Sequence, residues 1–173
     1  MEIGLLLLRL TAGLTLAAHG AQKLFGWFGG PGLEATGLLF ETIGFLPGRR
    51  QALMAGLAET GGGFLLALGL LTPIAAAVIC SVMLVAMAVH IKQGFFAQNG
   101  GYEYALVLGT VALSLAFTGP GSFSLDALLG GHFSGTFWGV GAFLVGVLGG
   151  AFSLSQRHRT QGQQTTSAPT SSS

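Results

Sequence analysis

Charged side chains are scarce in this sequence. Seven lysines and arginines and six acidic residues amount to 8% of 173 residues, whereas a soluble domain carries about 25%. So few charges cannot cover the surface of a soluble domain of this size. The hydrophobic fraction of 51% and the mean hydropathy of +0.71 agree, so lipid is predicted to surround most of the chain.

Cysteine is almost absent as well. The single Cys80 excludes an intrachain disulfide and a CxxC redox pair, so the chain supplies no dithiol chemistry of its own. We interpret Cys80 as a small apolar filler rather than a reactive thiol. The net charge of +1 gives no reason to expect a nucleic-acid partner. Glu2 and Arg9 disfavour a cleaved signal peptide at the start.

Apolar stretches long enough to cross a membrane, which takes roughly 20 residues, recur along the chain. The second and third are joined at Thr72-Pro73, where a Thr N-cap and a proline in the first helical turn predict a tight hairpin. The five predicted spans are Ile3 to about Phe25, the two halves of 53–91, about Tyr102 to Phe117, and about Phe137 to Leu154.

The predicted fold class is an all-α integral membrane protein. Residues 1–129 form a four-helix transmembrane bundle, residues 130–155 an additional, fifth transmembrane helix, and residues 156–173 a disordered tail. The end of the chain is mostly Ser, Thr and Gln and has almost nothing to bury, which predicts disorder.

The segment between the first two spans is glycine-rich and then modestly amphipathic. Leu39, Ile43 and Leu46 recur at helical spacing, while Glu34 and Glu41 share another face. This pattern fits a short helix in the membrane interface. An ordered loop held by Phe and Leu packing fits it equally well.

Basic residues predict the orientation. With five spans, six of them fall on one side of the membrane: Lys23, Arg49, Arg50, Lys92, Arg157 and Arg159. Because Lys and Arg accumulate in cytoplasmic loops, we predict a multi-pass protein of the plasma membrane with an outward N-terminus and a cytoplasmic C-terminus.

Small residues indicate how the helices pack. In the second span Ala52, Gly56, Glu59 and Gly63 lie on one face, and in the fifth Ala142, Gly146 and Gly150 repeat the spacing. Such faces let backbones approach closely in lipid. We favour packing within one chain, and a homo-oligomer interface is the alternative.

Ionisable residues inside the membrane need a reason, because each costs several kcal/mol unless it is paired or hydrated. Arg9, His19 and Lys23 share one face of the first helix, since His19 lies about 80° and Lys23 about 40° around the helix from Arg9. Counting helix rise places a set of ionisable groups from four helices within roughly 12 Å of the cytoplasmic surface. The set is His19, Lys23, Glu59, His90 and Glu103.

Two interpretations of this polar set stay open. In one, the carboxylates neutralise Lys23 and the imidazoles and only hold helices together. In the other, the set forms a pocket that hydrogen-bonds a quinone or moves protons. The spacing contains no metal motif, so no metal site is predicted. Arg9 lies about 15 Å from His19, and it either extends outward or pairs with Asp126 if the following loop folds back.

These residues resemble the DoxX family of four-helix membrane proteins over residues 3–129. The matching motifs are "LRLTAGLTLAAHGAQK" in the first helix, "ETGGG" in the second, "GYEYA" at the start of the fourth, and "GPGSFSLD" after it. The matching positions outside the polar set are Arg9, Gly20, Gly62, Ser124 and Asp126.

The resemblance implies a membrane subunit of a quinone-linked or oxidative- or thiol-stress redox system, with quinone as the candidate cofactor. It assigns no catalytic residue and leaves open whether the chain is itself an enzyme. The chain has no flavin, haem or iron–sulfur signature, so electrons have to come from a soluble redox enzyme partner. The rival functions are a scaffold that anchors such enzymes and a small-molecule transporter, which would call for broken helices and an internal repeat.

Overall fold

A computed structural model of the protein describes the backbone of residues 1–166 and the side chains of residues 1–157. Within this range the regular structure is helical. The α-helices are α1 (Glu2–Phe25), α2 (Gly32–Thr42), α3 (Gly48–Leu68), α4 (Thr72–His90), α5 (Glu103–Thr118), α6 (Leu125–Leu128) and α7 (Thr136–Thr166). Short 3-10 turns lie at Trp27–Gly29, Ile91–Gln93 and Ala97–Asn99.

Four of the five predicted membrane helices are confirmed by length and composition. In the described part of the chain four segments are long and apolar enough to cross a bilayer: Glu2–Phe25, Gly48–Leu68, Thr72–Gln93 and Thr136–Arg157. The predicted fourth span is the shorter apolar helix α5, whose 16 residues extend about 24 Å. These apolar helices place the protein in a lipid bilayer as a multi-pass membrane protein.

Part of the predicted tail is helical in the structure. Helix α7 continues to Thr166, so its helical backbone passes the boundary predicted at residue 155. The rest of the predicted tail, residues 167–173, lies outside the described residues.

Helices α1 and α3 make the most extensive helix contact of the bundle and run antiparallel. A Cβ built on Gly13 would lie 2.5 Å from the Gly63 carbonyl oxygen, and a Cβ on Gly20 would lie 2.6 Å from the Gly56 carbonyl oxygen. Real side chains do not fit at such distances, so the two backbones meet because these positions are glycine.

Helix α7 packs in the same manner, but parallel to α4. A Cβ on Gly146 would lie 2.6 Å from the Cys80 Cβ, and one on Gly150 would lie 2.5 Å from Leu84 Cδ2. Cys80 is thus a small packing residue beneath α7. Both small-residue faces are used inside the chain, which confirms the predicted packing within one molecule.

The antiparallel turns give the bundle two distinct ends. One, which we call the basic side, holds the C-terminal ends of α1 and α4 and the N-terminal ends of α3 and α5, with Lys23, Arg49, Arg50 and Lys92. Arg157 reaches the same side, since its Nε donates to the Ile43 carbonyl (2.7 Å). The other end, the opposite side, holds Glu2, Arg9 and the α3–α4 and α5–α7 connections.

The connection between α1 and α3 contains a helix, α2, so of the two alternatives for this segment the helical one is correct. Phe45, after α2, is buried at 3% exposure, and the Arg157 guanidinium lies 5.8 Å from its ring centroid. Leu38 and Leu39 are exposed on α2. The connection is therefore anchored to both α3 and α7 on the basic side.

Candidate functional site

The close crossing of α1 and α3 brings Lys23 to Glu59. Lys23 Nζ lies 2.5 Å from Glu59 Oε2, with side-chain exposures of 24% and 7%. The contact requires glycine at positions 20 and 56, because a larger residue would push the helices apart one turn away. Glu59 is paired, as predicted, but its partner is Lys23 rather than His19.

His19 lies one turn before Lys23 and meets α5 instead of Glu59. Its imidazole contacts the Tyr104 ring edge-on, with ring centroids 5.4 Å apart. Within the described residues neither imidazole nitrogen nor the Tyr104 hydroxyl has a hydrogen-bond partner. His19 is half-buried and Tyr104 is 48% exposed. Two polar groups therefore lie side by side at the edge of the bundle with free donor and acceptor capacity.

Sequence reasoning did not select Tyr104, although it belongs to the GYEYA motif. The sequence pattern points to its neighbour Glu103, because that side chain is ionisable. The signal that would have found Tyr104 is the pairing of α1 with α5, which the sequence does not reveal.

His90 and Glu103 lie at the same end of the bundle, but they hold the loop between α4 and α5. His90 Nδ1 lies 2.9 Å from the Gly100 carbonyl oxygen, and Glu103 Oε2 accepts from the Ala97 backbone N–H (3.0 Å). The five predicted residues thus all lie at the basic side of the bundle. They do not form one cluster: Lys23 pairs with Glu59, His19 contacts Tyr104, and His90 and Glu103 hydrogen-bond the loop between α4 and α5.

Thr60 adds an unsatisfied hydroxyl near the ion pair. Its Oγ1 is buried and has no hydrogen-bond partner, and it lies where a Cβ on Gly20 would be. Gly62, another family position, faces α4, since its Cβ would lie 3.3 Å from Ile79 Cγ1. Gly20 and Gly62 therefore act by allowing contact, with no chemistry of their own.

On the opposite side, Asp126 holds the start of α4. Its carboxylate accepts from the Leu71 N–H (2.7 Å), the Thr72 N–H (3.0 Å) and the Thr72 hydroxyl (2.7 Å). The predicted Thr72 N-cap is wrong: the cap residue is Leu71, in a left-handed conformation (φ 50°), and the capping group is Asp126. The Thr72 hydroxyl donates to this carboxylate and makes no local cap.

Arg9 lies beside this cap, because the loop after α5 does fold back. Arg9 is 1% exposed, and its Nη2 donates to the Phe123 carbonyl. The ion pairs of the described chain are Lys23–Glu59 and Arg49–Glu34, so the considered Arg9–Asp126 pair does not form directly. Arg9 Nε and Nη1 are buried without partners. Ser124 caps α6, accepting from the Ala127 N–H.

The two ends therefore differ in chemistry. On the opposite side, the Asp126 carboxylate accepts three hydrogen bonds from the start of α4, and Arg9 is buried. Neither side chain is accessible to a ligand. The basic side has an ion pair, an imidazole and a phenol, and the last two are open to a ligand.

Comparison with known proteins agrees with the residue pattern. Residues 4–91 match the family model for DoxX. A Bacillus subtilis (strain 168) protein named "Putative oxidoreductase CatD" is 33% identical over 126 residues, which are 72% of this chain and 86% of the relative. No solved structure matches the chain. The family match covers half of the chain and includes His19, Lys23 and Glu59, and on this evidence the protein belongs to the DoxX family.

Proposed function

We propose that the protein is the membrane subunit of a redox system and binds a quinone ring at His19 and Tyr104. The observation that carries the proposal is the contact of these two rings at the bundle edge, with no hydrogen-bond partner for either polar end. Neither polar group is satisfied by the described part of the protein, and a quinone carbonyl oxygen could accept a hydrogen bond from either one. The name of the related protein, an oxidoreductase, supports a redox role.

The neighbouring residues suit a quinone that exchanges protons with the basic side. The Tyr104 hydroxyl can donate a hydrogen bond to a carbonyl oxygen, and the His19 imidazole can donate or accept one. Lys23 lies one turn nearer the basic side on α1 and is paired with Glu59. A bound quinone supplies the electron acceptor, taking two electrons and two protons, and a soluble redox enzyme supplies the electrons.

Binding of the ring tests this proposal. The probe is dimethylnaphthoquinone, which has a quinone ring and no tail, added to the purified protein in liposomes. We expect His19→Ala and Tyr104→Phe each to weaken binding by about fivefold, the effect of losing one hydrogen bond. Tyr102→Phe is the matched control, because Tyr102 packs against Phe95 in the loop, and it leaves binding unchanged.

A wild-type protein that binds no ring at membrane-like concentrations contradicts the quinone site. The scaffold function then takes its place, with α2 and the basic side as the surface for soluble enzymes. Equal losses in Tyr104→Phe and Tyr102→Phe would also count against the site.

We further propose that the basic side faces the cytoplasm in the plasma membrane. Lys and Arg concentrate on that side in the structure, as the positive-inside tendency requires. Reporter fusions at Arg50, Lys92 and Arg157 should report cytoplasm, and a fusion at Gly130 should report the outside. An outside signal at Arg50 would reverse the orientation.

A further inference from the structure

A groove of about 390 Å³ lies between α1 and α5, separate from the polar residues of the basic side. Leu5 and Leu8 line it on α1, and Leu106, Val107, Ser114 and Thr118 are among the residues that line it on α5. Leu8 and Val107 are 48% and 53% exposed, so the groove opens towards lipid. In a bilayer its occupant is a hydrocarbon chain.

The hydroxyl groups of Ser114 and Thr118 do not make the groove polar. Ser114 Oγ donates to the Thr110 carbonyl (2.8 Å), and Thr118 Oγ1 donates to the Ser114 carbonyl (3.0 Å). These bonds turn the hydroxyl protons into the helix. The lining of the groove is therefore mostly apolar and suits a hydrocarbon chain.

The length and position of the groove connect it with the proposed ring site at Tyr104 and His19. From Leu106 to Thr118 it follows α5 for about 18 Å, which is more than half of the ~30 Å hydrocarbon core. Its Thr118 end lies towards the opposite side of the bundle. At its other end, Leu106 and Val107 lie within one turn of Tyr104, which contacts His19.

We propose that this groove binds the isoprenoid tail of a quinone whose ring lies at His19 and Tyr104. The inference rests on the proposed function and adds the ligand class to it: a quinone with a long tail rather than a small soluble one. The ring enters sideways from the lipid, and the tail lies along α5 towards the opposite side.

The test compares two probes with the same ring. Phylloquinone carries a phytyl tail, and dimethylnaphthoquinone carries a methyl group in its place. Ser114→Phe fills the groove with a side chain that lipid tolerates. Leu57→Phe is the matched control, on the lipid-facing side of α3 at 56% exposure. Affinities are measured in liposomes as mole fraction of probe in lipid, after each variant is checked for unchanged thermal stability.

We expect wild type to bind phylloquinone more tightly than dimethylnaphthoquinone, by roughly fivefold, because packing gains in lipid are small. Ser114→Phe should abolish that difference and leave dimethylnaphthoquinone binding unchanged, and Leu57→Phe should keep it. If Ser114→Phe binds both probes as wild type does, or if Leu57→Phe loses the difference equally, the groove assignment is wrong while the ring site stands. If neither probe binds wild type, the proposed function fails and the groove assignment with it.

Discussion

Asp126→Ala should destabilise the protein by about 4 kcal/mol. The carboxylate is 2% exposed and accepts two backbone N–H groups and one hydroxyl at the start of α4. Alanine leaves these donors buried without acceptors, and each such loss costs about 1–3 kcal/mol. In Asp126→Asn the amide oxygen can still accept a hydrogen bond, but the amide NH2 group points a donor at one of the remaining donors. We therefore expect about half the loss of stability seen in Asp126→Ala.

Glu2→Gln is the matched control. Glu2 Oε2 also accepts a backbone N–H and a hydroxyl, both from Ser122 in the loop before α6, but this contact is exposed to solvent. We expect a much smaller loss than in Asp126→Ala, because water replaces the lost contact. Unfolding by SDS titration of the protein in detergent measures all three variants. A loss in Asp126→Ala no larger than that in Glu2→Gln would show that the start of α4 does not depend on Asp126.

Removing Glu59 should cost about 3 kcal/mol, and removing Lys23 as well should return most of it. A buried pair that loses one partner leaves an uncompensated charge, whereas replacing both with apolar groups is often nearly neutral. Glu59→Leu thus leaves the Lys23 ammonium without its carboxylate partner. In Glu59→Leu, Lys23→Leu both charges are gone, and we expect a coupling energy of about 2 kcal/mol in the double-mutant cycle.

The pair Arg49–Glu34 provides the control for burial. Its N–O distance is 2.6 Å, close to that of Lys23–Glu59, but its side chains are 64% and 75% exposed. The same cycle with leucines at these positions should give a coupling energy of at most about 1 kcal/mol. Additive losses at Lys23 and Glu59 would instead mean that the two charges are stabilised separately.

The sequence predicts the membrane helices well because hydropathy and length determine them locally. The limits lie in contacts between helices. His19 and Lys23 occupy neighbouring positions on one face of α1, and helix geometry alone does not decide which of them meets Glu59. The approach of Gly20 to Gly56 decides it, since this sets how far α3 is shifted along α1.

Contacts between distant parts of the chain also explain why the predicted Thr72 cap of α4 is wrong. Threonine before proline is a good local cap, so local rules select it. The observed cap, Asp126, lies 54 residues away from Thr72 in sequence, and only the folding back of the loop after α5 brings it there. The family resemblance marked Asp126 as a matching position, but it did not reveal the partner.

The spacing of the glycines at the contact between α1 and α3 makes the fold sensitive to insertions and deletions within α1. Gly13 and Gly20 are seven residues apart, and so are their partners Gly63 and Gly56. This heptad period is that of a left-handed coiled coil, in which contacts return to the same helix face every two turns. One residue inserted between Gly13 and Gly20 would rotate everything after it by about 100°, placing a side chain against the α3 backbone and turning Lys23 away from Glu59. Substitutions on the lipid-facing side of α1 leave this register intact, whereas a change of length there does not.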